Sequence, residues 1–200
     1  MAILTANNQS LTEITALPSV VTAGSLVLLE TQTASGDSAI TFASDIDDTY
    51  KEYIFKFINV HPSNDSVALR VNFRDGSTAY DATKTTTDFY AEHDEADNNA
   101  NLAYSTGQDL AQSTAVQNIA PDFGNDNDQS CSGYLHLFDP SSTTFIKHFF
   151  TRTNQYHSGD YSQDWFYAGY CNVTAAIDGV QFTPSAGTID AGTFKMYGVV

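Results

Sequence analysis

The sequence predicts an all-β protein: an antiparallel β-sandwich, jelly-roll-like, with an N-terminal extension. Three observations lead there. Segment after segment carries β-branched or aromatic residues in runs or in period-two alternation. Clusters of Gly, Pro, Asn, Asp and Ser separate these segments at short intervals. Helical periodicity is nearly missing, because the one candidate, "AEHDEADNNANLAYSTGQDLAQ", is polar almost all round and reads as a long acidic loop.

The elements follow in order. "SLVLLETQT" and "SAITFAS" are strand-like and lie in a first stretch, residues 1–45, that is rich in Thr, Ala, Ser and Leu and has no basic residue. That stretch is expected to be an attachment arm or the first strands, with the sandwich proper over 46–200. In "EYIFKFINV", Tyr53, Phe55, Phe57 and Asn59 share one side, and Ile54, Lys56 and Ile58 the other. In "SVALRVNFR", Val67, Leu69, Val71 and Phe73 alternate with Ala68, Arg70, Asn72 and Arg74, the pattern of a half-buried strand. "HPSND" between them has the length of a hairpin connection. "RDGST" and "FDPSSTT" are further turns, Gly76 standing where a positive φ is needed. Downstream, "TTDFYAEH", "SGYLHLF", "TTFIKHFFT", "QDWFYAGY", "AIDGVQFTP" and "GTFKMYG" bring the tally to about ten or more strands. The chain as given closes on "GTIDAGTFKMYGVV", in which Phe194 and Met196 share one face and Lys195 and Tyr197 the other. A strand there ties the end into a sheet, and Gly192 within it marks a bulge or a close backbone approach.

At 200 residues the chain suffices for one domain with a real core. Its formal net charge of −16, from 8 basic and 24 acidic side chains, argues against nucleic acid and against an anionic membrane surface as partners. No basic residue lies between Lys84 and Lys147, a gap holding Asp88, Glu92, Asp94, Glu95, Asp97, Asp109, Asp122, Asp126, Asp128 and Asp139. The start, "MAILTANNQSL", has neither a basic n-region nor a long apolar core, so no signal peptide is expected, and synthesis is placed in a cytoplasm.

Several groups are candidates for chemistry. "DFGNDNDQ" clusters hard oxygens, and Asp122, Asp126 and Asp128 are the candidate calcium ligands, although the loop lacks the EF-hand glycine and glutamate. "SDIDD" offers Asp45, Asp47 and Asp48, which a turn explains as well as paired-carboxylate hydrolysis does. In "QYHSGDYSQDWFYAGY", Trp165, Tyr167 and Tyr170 are the candidates for stacking sugar rings, with core packing as the alternative for alternate members. His136 and His148 lie in expected strands. Cys131 and Cys171 are expected as buried free thiols, or as a disulfide formed after release. No catalytic motif and no cofactor motif is present.

The closing segment "IDGVQFTPSAGTIDAGTFKMYGVV" resembles the end of a group of small structural proteins and domains of tailed bacteriophages, notably marine ones. These finish with a strand, a Ser/Gly-rich turn and a "GT-apolar-x-apolar-Tyr-Gly" strand. Here those places are taken by Ile177, Val180, Phe182, the turn Ser185 to Gly187, Ile189, Gly192, Thr193, Phe194, Met196, Tyr197 and Gly198. "YKEYIFKFINVHPSNDSVALRVNF", with Asn59, Pro62, Leu69 and Val71, and "SGYLHLFDPSS", with Gly133, Leu135, Leu137 and Pro140, are similar to upstream parts of the pattern. The resemblance covers three patches of roughly residues 50–200. It implies a non-enzymatic β-sandwich component of the virion surface, of capsid-decoration or tail-fibre type, that forms a homo-oligomer and meets other virion proteins. Recognition of a host surface glycan by a carbohydrate-binding module is the alternative expectation.

Overall fold

A computed structural model describes residues 25–200. All of the regular structure is strand, and every pairing is antiparallel. The strands are β1 (Leu26–Thr33), β2 (Ile40–Phe42), β3 (Glu52–Pro62), β4 (Val67–Arg74), β5 (Lys84–Asp94) and β6 (Ala100–Ala103). They continue with β7 (Gln117–Phe123), β8 (Cys131–Phe138), β9 (Lys147–His157), β10 (Tyr161–Cys171), β11 (Gly179–Pro184) and β12 (Ile189–Val199).

The pairing order resolves into a double sheet. One layer runs β1-β12-β3-β8, the other β2-β11-β4-β7. Taken in chain order, these eight strands change layer at every step except β4 to β7, which is the winding of an eight-stranded jelly roll. The remaining four strands are two insertions. β5 and β6 enter between β4 and β7, β9 and β10 between β8 and β11, and together they extend the first layer as β8-β9-β10-β5-β6. A single pair, Phe123 with His157, joins the layers at one corner.

Rings from facing layers meet in the core of the roll. Phe182 of β11 sits 6.2 Å from Phe55, 5.9 Å from Phe57 and 5.3 Å from Phe194 between ring centroids. Phe42 packs on Phe55 at 5.3 Å, and Phe73 on Phe149 at 4.8 Å. Phe194 and Met196 point inward, as the alternation of the closing strand requires. β12 lies between β1 and β3, so the strand that ends the described chain is interior to its sheet.

Period two fails at one place in β3, for a visible reason. Tyr53, Phe55 and Phe57 are buried as expected, but Asn59 turns outward and Val60 is buried in its stead. The pairings with β8 and with β12 both slip there, and Asn59 takes a φ of 51°. Burying an unpartnered amide is costly, and Asn is among the residues that accept this conformation, so the strand bulges and reverses its faces. Gly192 lies beside the bulge with a φ of 135°, and a Cβ there would come within 2.9 Å of Val60 Cα.

Other local expectations change as well. "HPSND" is not a hairpin, since β3 and β4 belong to different layers; it is a crossover of hairpin length. "RDGST" likewise crosses layers, with Gly76 at φ 86°. The acidic stretch read as a loop is instead the β5–β6 hairpin followed by a segment running beside β5. Residues 25–45 supply β1 and β2, while residues 1–24 of the expected arm lie outside the described residues. Cys131 and Cys171 are both buried and unpaired. Their partners on β9, Gln155 and Lys147, stand eight residues apart, about 26 Å along a strand, so no disulfide forms between them.

Candidate functional site: the two faces of the inserted strands

The inserted strands have an inner face unlike the core of the roll. In β9 the inward set is Lys147, Phe149, Thr151, Thr153 and Gln155; in β10 it is Gln163, Trp165, Tyr167 and Cys171; in β5 it includes Lys84, Thr86 and Asp88. Most of these are polar and nearly all are fully covered. Lys84, Cys171 and Lys147 form one cross-strand row. Each ammonium is satisfied by main-chain carbonyls: Lys84 Nζ donates to Ala115 (2.7 Å), and Lys147 Nζ to Val173 (2.9 Å) and Phe145 (3.4 Å). Burial pulls Lys84 down to about 8 and pushes the Cys171 thiol up to about 12.

Two inner rows further on, beyond Thr86, Gly169 and Phe149, the row of Asp88, Tyr167 and Thr151 is less well satisfied. Both carboxylate oxygens of Asp88, the Tyr167 hydroxyl and the Thr151 hydroxyl are buried without a hydrogen-bond partner, as are the Thr153 hydroxyl and Gln155 Oε1 nearby. Burial raises Asp88 to about 6, and the charge of Asp109 adds to the rise.

The sugar-stacking candidates divide between the two faces. Trp165 is buried, stacked on Tyr90 at 4.3 Å and on Tyr167 at 5.6 Å, with its Nε1 donating to Gln163 (3.1 Å). Tyr167 is buried beside it. Both rings belong to the packing of the inner face. Tyr170 alone of the three lies on the outer face, edge-on to His148 at 6.1 Å.

That outer face carries an aromatic and basic surface. Phe89 of β5 and Phe166 of β10 stack at 4.6 Å with 7° between planes. The Arg152 guanidinium lies 4.9 Å over the Phe166 ring and forks onto Asp164 at 2.6 to 3.1 Å. His136 stacks on Phe150 at 4.6 Å and is paired with Glu52. Small residues form the floor between these rings. One depression of ≈ 390 Å³ has Ala168 and Thr87 between Phe89, Phe150, Phe166 and Tyr134. A second of similar size adjoins it, walled by Phe138, His148 and Tyr170. Phe89, Phe150, Arg152 and Tyr134 are the residues that sequence reasoning missed, and Phe166 lay in the aromatic run without being singled out. Period two in "SQDWFYAGY" sets Phe166 opposite Trp165 and Tyr167, and its one outward signal is that Ser162 and Asp164 share its side.

The carboxylates behave differently from the expectation of one site. Asp122, Asp126 and Asp128 are all exposed. Asp122 accepts from Ser66 Oγ at 3.5 Å, while the Asp126 backbone serves His61 and Gln129. Asp128 opens onto a polar depression of ≈ 400 Å³ with Asp94, Glu95 and Tyr156 instead. Among the described residues no three His, Cys, Asp or Glu side chains converge in a way that would hold a metal ion. In "SDIDD", Asp47 accepts from the Thr49 amide (2.9 Å) and meets the Tyr53 hydroxyl, the work of a turn.

No family model, no curated protein and no solved structure matches this chain.

Proposed function

We propose that this protein is a non-enzymatic structural subunit of a tailed-bacteriophage virion surface, of capsid-decoration or tail-fibre type, acting as a homo-oligomer beside other virion proteins. The observation that carries the reading is the strand order, an eight-stranded jelly roll, a fold shared by capsid and lectin domains. That is an analogy of fold, and it gains weight from the similarity of the closing "GTFKMYG" strand to phage structural proteins. Antibody labelling of particles from an infected culture tests it. Signal on the particle exterior is expected, and particles free of the protein would overturn the reading.

One observation favours a second reading, a module that recognises host surface glycan. Aromatic rings on the outer face of β9, β10 and β5 remain open, with Phe89 at 47% and Phe150 at 38% exposure. Flat apolar rings beside a forked Arg152–Asp164 pair suit sugar rings with their mixed C–H and hydroxyl faces. A glycan array with the full chain tests this reading, and binding to no glycan would remove it.

A further inference from the structure

On the outer face of the extended layer, one row of side chains runs straight across the sheet. Its members, paired strand to strand, are Lys195 on β12, Lys56 on β3, Tyr134 on β8, Arg152 on β9, Phe166 on β10 and Phe89 on β5. Five interstrand steps make the row about 24 Å long. In a chain of net charge −16 this grouping is unusual. Of eight basic residues, Lys84 and Lys147 are buried, Arg70 donates to the Pro184 carbonyl, and Arg74, Lys51 and Arg152 are paired with Asp178, Asp139 and Asp164. Lys195, Lys56 and Arg152 stand in this one line.

The lysine end of the row points to an anionic ligand. Lys195 and Lys56 are directly opposite each other on adjacent strands, an arrangement of like charges that opposes folding and that an anion between them relieves. Arg152, its charge balanced by Asp164, continues the row 4.9 Å over the Phe166 ring. The other half of the row is ring faces, Tyr134, Phe166 and Phe89, above the Ala168 floor. Charge at one end and flat apolar faces at the other match a sugar chain that carries carboxylates.

A peptide is a poorer occupant. The row crosses the middle of the sheet, where the backbone groups of β3, β8, β9 and β10 are paired with neighbouring strands on both sides. An extended acidic segment would find no main-chain partners there, so strand addition is not open to it. A long polyanion such as nucleic acid meets the acidic remainder of the chain beyond roughly 10 Å, the screening length at 0.1 M salt.

We infer that this row is a binding site for a glycan bearing carboxylated sugars, with Lys56 and Lys195 taking the carboxylates and Tyr134, Phe166 and Phe89 taking the rings. The inference rests on the glycan reading above and names its ligand class. The experiment is a calorimetric titration of the full chain with trigalacturonate and with its fully methyl-esterified, neutral form. The acidic trimer should bind, the neutral form at least tenfold more weakly. K56Q/K195Q should lose at least tenfold for the acidic form alone, and F166A should lose at least tenfold for any form that binds, both with melting temperatures close to that of the parent. Equal binding of the two trimers would overturn the carboxylate assignment while leaving the glycan reading standing. Binding of neither overturns the site, and binding of tetraglutamate as tightly as trigalacturonate assigns the row to acidic peptide. Loss of self-association in K56Q/K195Q, read by light scattering, without any glycan binding would assign it to a second copy. Location on the particle is measured separately, so its failure and this one are distinguishable.

Discussion

The eight strands of the jelly roll and the four inserted strands share one continuous layer, yet their inner faces are built differently. In the roll, Phe42, Phe55, Phe57, Phe182 and Phe194 fill the space between layers. In the insertion the same inward positions hold Lys84, Thr86, Asp88, Thr151, Thr153, Gln155 and Gln163. The apolar residues that the insertion does own are instead shared between its two sides, and several face solvent. Stability thus rests on the roll, while the insertion carries a polar interior and an open aromatic surface. Hydrophobic burial is non-directional and tolerates no waste in a core, whereas a surface for recognition must leave apolar area uncovered.

The sharpest way to break this division is truncation in the core of the roll. Phe194→Ala removes a fully buried ring and leaves a cavity, for about 3–5 kcal/mol of lost stability. Lys195→Ala, one residue on and half-exposed, should change stability by under about 0.5 kcal/mol. Denaturant melts of the two variants check the pair, and equal small effects would mean that β12 is not part of the core. Next in size is Gly192→Ala. A φ of 135° and a 2.9 Å approach to Val60 Cα should make it cost about 1–3 kcal/mol by the same measurement.

The polar interior makes a pH-dependent prediction. The unfolded chain releases the Asp88 proton near the ordinary carboxylate value, about 3.9, whereas the folded protein holds it to about 6. Between those values the folded state binds more protons, so the contribution of Asp88 to stability falls as pH rises through the window. It stays low above 6 and returns in full below about 4. Asp88→Asn, neutral throughout, should therefore be more stable than the parent at pH 7 by about 1–3 kcal/mol, with the gap closing toward pH 4. A gap independent of pH would show that folding leaves the Asp88 proton affinity unchanged, and a parent that gains on the variant as pH rises would show Asp88 ionised inside and held by a partner. The smallest effect concerns Asp122, Asp126 and Asp128, whose side chains do not converge. Adding a chelator should leave the melting temperature unchanged, and a drop restored by calcium would reinstate the site.

Much of the roll was legible in the sequence, because its large apolar side chains follow period two, although β4 also buries Ala68 and Asn72 on its other side. The alternation of "SVALRVNFR" gave Val67, Leu69, Val71 and Phe73 as core, and the closing strand gave Phe194 and Met196. What period two could not supply was the bulge at Asn59, where one added residue exchanges the faces of β3. Nor could it supply the layer changes, since "HPSND" has the length of a hairpin and makes a crossover. The acidic stretch hid β6 because a short edge strand exposed on both sides shows no alternation, and its burial pattern is open almost throughout. The candidate site was hardest to read. "DWFYAGY" is aromatic on both faces, and whichever side faces the second layer is decided by pairing with β9 and β5, far away in sequence. The larger rings, Trp165 and Tyr167, went inside, where Gln163 satisfies the indole, and Phe166 was left outside.

The division between the two regions is tested most directly by melting Phe166→Ala beside Phe194→Ala and titrating each folded variant with trigalacturonate. Phe166 is half-exposed and stacks on Phe89, an arrangement worth about 1 kcal/mol. The predicted result is a Phe166→Ala protein that melts near the parent temperature and no longer binds the trimer, against a Phe194→Ala protein that is severely destabilised. A Phe166→Ala protein destabilised as much as Phe194→Ala would contradict the account, because the outer face would then be part of what holds the fold together.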